Sequence, residues 1–269
     1  MSLLRFWLGS IAIQKQRTRF SCGFFAPSQR YISSSRSRNF YSCLKPNQQD
    51  GAHYQSSSLP RDSPLSGMED ALTGYLLGKK RATDVAHMVW RHVVQKGDTV
   101  VDATCGNGYD TLEMLKLVAD DSHKGFVYAL DIQKDALDMT SSLLDDSLNP
   151  TEKQLIKLFN ICHSKMEEVI PSHASVRLIA FNLGYLPGGD KEIITRSETT
   201  LLALEAAKRI LMPGGLISLV VYVGHPGGWE ELESIEAFAA GLSSENWICC
   251  KLQMLNRPSS PIPIFLFKR

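Results

Sequence analysis

Between residues 99 and 131 the chain runs from apolar Thr99-Val100-Val101 into Asp102-Ala103-Thr104-Cys105-Gly106-Asn107-Gly108-Tyr109-Asp110-Thr111. An amphipathic stretch follows, Leu112-Glu113-Met114-Leu115-Lys116-Leu117, and then a second apolar run, Gly125 to Leu130, that ends in Asp131. The order is strand, glycine turn, helix, strand, acid. It constrains the fold more tightly than any other feature of the sequence. The glycines let backbone approach a ligand closely, and a carboxylate after the second strand is placed to accept from ribose hydroxyls.

The spacing of the turn selects among ribose-bearing cofactors. A dinucleotide site takes Gly-x-Gly-x-x-Gly, in which the third glycine lets helix and strand pack closely behind the pyrophosphate. Here that position is the β-branched Thr111. An acid, Asp102, also closes the first strand, where it can help hold an amino-acid moiety. Both features favour S-adenosylmethionine over a nicotinamide cofactor.

From about residue 70 the chain alternates strands with helices. A helix spans Ala82 to Val94, with Val85, Met88, Val89 and Val93 on its apolar side. Strands are expected at about 99–103, 125–131, 156–162, 176–182 and 214–223, and helices near 110–119, 134–146, 165–169, 197–211 and 229–241. Pro213-Gly214-Gly215 reads as a helix stop. Two more apolar runs, Trp247 to Leu255 and Ile262 to Phe267, close the chain as a hairpin-like pair, with Pro258, Pro261 and Pro263 making their connection irregular. The expected fold is α/β: a Rossmann-like, class I methyltransferase architecture with a seven-stranded, mostly parallel sheet whose last strand is antiparallel. Ligands then bind beyond the carboxyl ends of the strands, where strand order reverses.

The first 49 residues stand apart. They carry eight basic residues, no acid and abundant serine, the composition of an organellar transit peptide. The competing reading is a disordered basic arm that touches RNA. Serine richness leans to the chloroplast over the mitochondrion. Residues 50–67 read as a Ser-, Pro- and Gly-containing linker, and 68–269 as the methyltransferase domain. Removing those eight cations from the chain's 29 leaves 21 basic against 28 acidic residues, so the body is acidic. Such a body does not grip long nucleic acid through phosphates, yet it permits a small RNA held by a local basic patch. Lys79-Lys80-Arg81, Lys191 and Arg196 are candidates for that patch. No run reaches the ~18 apolar residues of a membrane span. Cys105, Cys162, Cys249 and Cys250 show neither Cys-x-x-Cys pairing nor a histidine spacing that suggests zinc, so they read as reduced and no metal is expected.

Polar and glycine-rich residues follow every central strand. They are Gly106, Asn107, Gly108 and Asp110; Asp131 and Gln133; His163 and Ser164; Asn182 through Lys191; and Tyr222 through Gly228, which includes His225. The segment Asn182-Leu183-Gly184-Tyr185-Leu186-Pro187-Gly188-Gly189-Asp190-Lys191 resembles the Asn-Pro-Pro-Tyr loop of amino-directed methyltransferases, with Leu183-Gly184 replacing the prolines. Methyl transfer is an in-line displacement, so the nucleophile's lone pair must point at the methyl. The Asn182 oxygen and a nearby carbonyl can accept the amine's hydrogens and fix that lone pair, and the Tyr185 ring can stack on a base. Asp190 and His225 are candidates to take the amine's proton.

Together, the glycine turn, Ala-Leu-Asp-Ile-Gln, the ten-residue loop and Tyr-x-Gly-His-Pro-Gly-Gly resemble one family over roughly residues 80–269. It is the tRNA 5-(aminomethyl)-2-thiouridine methyltransferases, long labelled rRNA methylases. The resemblance implies methylation of the primary amine of 5-aminomethyl-(2-thio)uridine at the wobble position of a tRNA anticodon stem-loop. It implies that Asn107, Asp110, Asp131, Gln133 and His163 line the cofactor site, with Asp131 on the ribose hydroxyls, and that Asn182 and Tyr185 stand at the amine. It is compatible with a homodimer. A small-molecule N-methyltransferase, or a cofactor-binding scaffold without turnover, stays open on the residues alone.

Overall fold

The apolar runs of the sequence become the strands of one sheet in the computed structural model, which describes residues 68–120 and 124–269. The expected transit segment at 1–49 and linker at 50–67 lie outside the described residues. In chain order the strands are β1 (Thr99–Asp102), β2 (Phe126–Asp131), β3 (Ile156–Asn160), β4 (Val176–Leu183), β5 (Leu211–Val221), β6 (Trp247–Lys251) and β7 (Ile262–Lys268). They lie side by side as β3-β2-β1-β4-β5-β7-β6. Every pairing from β3 to β5 is parallel, and β7 runs antiparallel to both β5 and β6.

The central strands are apolar on both faces because helices cover both. Along β4 the side chains alternate. Leu178 and Ala180 join a core with Val85, Trp90 and Met114, beneath α2 (Ala82–Val93) and α3 (Tyr109–Val118). Ile179, Phe181 and Leu183 join the opposite core with Met166, Leu204 and Ile235, beneath α5 (Ser197–Ile210) and α6 (Gly228–Ala240). The remaining long helix, α4 (Lys134–Ser147), buries Ala136, Leu137, Thr140 and Leu144. No helix among the described residues is long and apolar enough to cross a membrane.

Four local readings change. A helix absent from the expected elements, α1 (Met68–Leu76), precedes α2; Tyr75 ties it to the body by donating to the Leu252 carbonyl at 3.4 Å. Pro213-Gly214-Gly215 does not cap a helix. α5 has already ended at Ile210, and the tripeptide sits inside the start of β5 as an irregularity, with Gly214 at φ +76° and the pairing with β4 shifted between Val176 and Leu178. The helix expected at 165–169 is a short 3₁₀ helix, His163–Glu168, and the run to Leu255 leaves strand geometry after Lys251. All four described cysteines are free.

The strand order reverses between β1 and β4. From β1 the chain proceeds outward to β2 and β3, then returns to the other side of β1. Their carboxyl ends diverge into loops there, which opens a crevice at the sheet's edge.

Candidate active site

The turn after β1 is built around a buried carboxylate. Asp102 is 1% exposed. It accepts the Thr111 hydroxyl at 2.6 Å on one oxygen and the Thr104 N–H at 3.3 Å on the other. Burial, with the negative charge of Asp110 nearby, pushes its carboxyl up to about 7. Asp102 therefore knits the turn to α3 from beneath instead of reaching the crevice. Thr111, the residue that broke the dinucleotide spacing, supplies the staple. Gly108 is required where it stands. Its φ is +83°, and a Cβ there would lie 2.9 Å from Thr140 Cα, so only glycine lets the start of α3 pack on α4. Gly106, also left-handed, donates its N–H to Asp131 at 3.1 Å, while Gln133 N–H donates to the other oxygen at 2.9 Å. Each Asp131 oxygen keeps a second lone pair.

Beyond the strand ends lies a cleft of about 1000 Å³. Gly106, Asn107, Asp110, Asp131, Gln133, His163, Asn182 and Tyr185 all line it, along with His87, Arg81, Tyr222 and Arg257. Three of these residues hold a buried polar atom without a hydrogen-bond partner: Asn107 Oδ1, His163 Nε2 and Asn182 Oδ1. Leaving such an atom unpaired costs about 1–3 kcal/mol, and three on residues that line one cleft mark it as built for a polar ligand. His163 is 6% exposed, and burial pulls it down to about 4, so its ring is neutral.

The orientation of Asn182 is fixed by its neighbours. Its backbone N–H donates to Thr104 Oγ1 at 2.7 Å, and its side-chain NH₂ donates to Asp110 Oδ2 in a short contact. A carboxylate only accepts, so the amide nitrogen must face Asp110 and the amide oxygen must face away. That oxygen is the orphaned one. The other Asp110 oxygen meets His87 Nε2 at 2.6 Å. Sequence reasoning misses His87. It sits on α2 beside the apolar positions that mark the core, and its role exists only because the fold brings it to a turn 23 residues further on.

The remaining predicted residues are placed differently. Tyr185 is exposed, with Lys191 Nζ 5.9 Å from its ring centroid and the His225 ring edge-on at 6.4 Å. His225 donates from Nδ1 to the Pro226 carbonyl at 2.9 Å and packs behind Gly184, off the cleft wall. Asp190 caps the loop by accepting the Glu192 N–H at 2.9 Å, also off the wall. Ser164 donates to Cys162 Sγ at 3.1 Å, and it is Cys162 that lines the cleft. Gly108 sits against Thr140, behind the turn.

The loop after β4 is anchored at its far end. Thr195 N–H donates to the Gly184 carbonyl at 2.9 Å, Tyr185 and Ile194 form a β-bridge, and the buried Glu231 accepts the hydroxyls of Thr195 and Thr200 at 2.7 and 2.6 Å. Among the described residues, no group of three or more His, Cys, Asp or Glu stands together as metal ligands.

Comparison with known proteins agrees with this geometry. A family model described as "Putative rRNA methylase" matches residues 127–268. A protein of Arabidopsis thaliana named tRNA (mnm(5)s(2)U34)-methyltransferase, chloroplastic, is 62% identical over 230 residues, covering 84% of each chain. Among solved structures, a protein of Clostridium thermocellum named "putative rRNA-methylase" is 36% identical with a TM-score of 0.65, covering 71% of this chain and 98% of its own. A protein of Streptococcus mutans named "a putative methyltransferase", in complex with SAH, is 28% identical with a TM-score of 0.62, covering 71% of this chain and 99% of its own.

Proposed function

The chain belongs to this methylase family, and on that premise we propose that it methylates the aminomethyl nitrogen of 5-aminomethyl-(2-thio)uridine at the wobble position of chloroplast tRNA, with S-adenosylmethionine as donor. The cofactor half of the cleft fits that donor. Asp131, held by two backbone N–H groups, offers its spare lone pairs to ribose hydroxyls. Asn107 and His163 offer the unpartnered Oδ1 and Nε2 to the polar atoms of a nucleoside. When bound, S-adenosylmethionine supplies an electrophilic methyl on a positively charged sulfur.

The observation that carries the reading is the Asn182 oxygen: buried, without a partner and locked in direction by Asp110. An acceptor fixed in this way takes one N–H of a substrate amine and so directs its lone pair. The amine arrives charged, since an aliphatic ammonium titrates near 10.4. A site shielded from water and adjoining a sulfonium favours the neutral form. Asp190 and His225 are the sequence's candidates for taking the proton. Their positions off the cleft wall favour holding the loop and backing Tyr185 instead.

The tRNA and the compartment are part of the proposal. The Arabidopsis relative is named chloroplastic, and the basic, serine-rich, acid-free first 49 residues support the same address. A fluorescent fusion of residues 1–60 tests the address. The reaction is tested by incubating purified protein and methyl-labelled S-adenosylmethionine with an anticodon stem-loop carrying 5-aminomethyluridine. The stem-loop takes up label if the reading is right. Label on free small amines but not on the stem-loop favours the small-molecule alternative.

A further inference from the structure

The geometry around Asp110 points to a residue outside every sequence motif. We propose that His87 is a positioning residue for methyl transfer: by pinning one oxygen of Asp110, it holds the other against the Asn182 amide nitrogen, and so keeps the Asn182 oxygen turned away from Asp110 and free to accept. The inference rests on the reading of Asn182 as the atom that holds the substrate amine.

Three elements meet in this relay. His87 comes from α2, Asp110 from the first turn of α3, and Asn182 from the end of β4. Asp110 has two oxygens, and each receives one donor, the ring nitrogen of His87 at 2.6 Å and the amide of Asn182. Because the partner is a carboxylate, the His87 nitrogen in contact is the protonated one. With only one of these donors, the carboxylate could turn about its own bond and the amide could turn with it.

The histidine itself is rigidly held. Its ring lies 4.7 Å from that of Trp90, which is buried, and the neighbouring Val85, Ala86 and Met88 are sunk in the core. The ring therefore acts as a fixed post to which a mobile carboxylate is tied. His87, Asp110 and Asn182 all line the cleft, so the tie is made on the cleft itself. Locking a catalytic amide from a second layer in this way is a general means of keeping a reacting group in near-attack geometry.

The test compares His87→Leu with His87→Gln, whose side-chain nitrogen reaches a similar distance from the backbone and still donates but does not titrate. Losing a hydrogen bond to a charged group corresponds to about a 10- to 100-fold effect. His87→Leu should lower kcat on the modified stem-loop by that factor, with the dissociation constant for S-adenosylmethionine and the KM for RNA within about twofold of wild type. His87→Gln should restore kcat to within about threefold. The proposal is overturned if His87→Leu turns over at the wild-type rate. It is equally overturned if His87→Gln binds the donor normally yet is as slow as His87→Leu, because a titrating ring is then required. Should His87→Leu fail to fold, His87→Ala takes its place in both comparisons. Asn182→Ala in the same assay separates the roles of the two residues: full activity there removes the reading of Asn182, whereas impaired Asn182→Ala with normal His87→Leu removes only the role of His87.

Discussion

The buried carboxylate beneath the glycine turn makes a quantitative demand on stability. Asp102 holds its proton in the folded protein up to about pH 7, whereas the unfolded chain releases it near the ordinary value of 3.8. Between those limits the native state binds more protons than the unfolded state, so stability falls as pH rises through the window. The slope contributed by one such group is at most about 1.4 kcal/mol per pH unit. Across the gap of about three units, at 1.36 kcal/mol each, the ceiling is about 4 kcal/mol. Asp102→Asn removes the titration while keeping the shape. The amide oxygen still accepts the Thr104 N–H, and the amide nitrogen can donate to a Thr111 hydroxyl that has turned round. The assay is thermal unfolding of wild type and variant at intervals from pH 5 to pH 8. For a domain of this size ~1 kcal/mol corresponds to roughly 2–4 °C in Tm, so the variant should gain up to roughly 8–16 °C over wild type at pH 8 and about a third of that at pH 5. Parallel curves for the two proteins, or a variant that loses ground as pH rises, would refute the assignment of the burden to Asp102.

The cleft and its frame carry further expectations. Lys80 and Arg257 line the mouth of the cleft, and neither has an ion-pair partner among the described residues, so they are placed to hold phosphates next to the reacting nucleotide. Lys80→Gln with Arg257→Gln should weaken stem-loop binding and lower the slope of log affinity against log salt by roughly 0.7–0.9 for each phosphate no longer neutralised; an unchanged slope shows that they touch no phosphate. Gly108→Ala places a Cβ 2.9 Å from Thr140 Cα at φ +83°, and should lower Tm by several degrees, about 1–3 kcal/mol; a neutral effect in differential scanning calorimetry contradicts the tight packing of α3 on α4. Asp190→Asn and His225→Ala should each keep kcat within about tenfold of wild type, since neither side chain lines the cleft; a larger drop in steady-state turnover, with donor binding intact, assigns that residue to proton removal.

Much of the scaffold was legible because its signals are local. The turn at 104–111, the carboxylate at Asp131 and the loop opened by Asn182 each announce themselves within about ten residues. Period and punctuation then place them at strand ends. What the sequence concealed depends on tertiary pairing. Asp102 reads as an acid at a strand end, and its bond inward to Thr111, nine residues on, is set by the turn between them. His87 has no neighbouring motif, and its partner arrives from another helix. Glu231, on a helix rich in acids, looks solvated until two threonine hydroxyls from elsewhere in the chain close over it. Pro213-Gly214-Gly215 has the composition of a helix stop, yet the helix ends earlier and the same residues lie within β5, where the pairing with β4 jumps from Val176–Leu211 to Leu178–Leu216. Strand-end position in the chain does not fix side-chain direction. Ser164, Asp190 and His225 follow strands in the chain while their side chains turn to the loops themselves.

The central claim is that a nitrogen held by the Asn182 oxygen receives the methyl group. Nucleoside mass spectrometry of a 5-aminomethyluridine-bearing tRNA, treated with the protein and methyl-labelled S-adenosylmethionine, tests it most directly. The account predicts one labelled methyl on the aminomethyl nitrogen with wild type, and almost none with an Asn182→Ala protein that still binds the donor. Label on a ribose oxygen or a ring carbon, or undiminished label with Asn182→Ala, would contradict it.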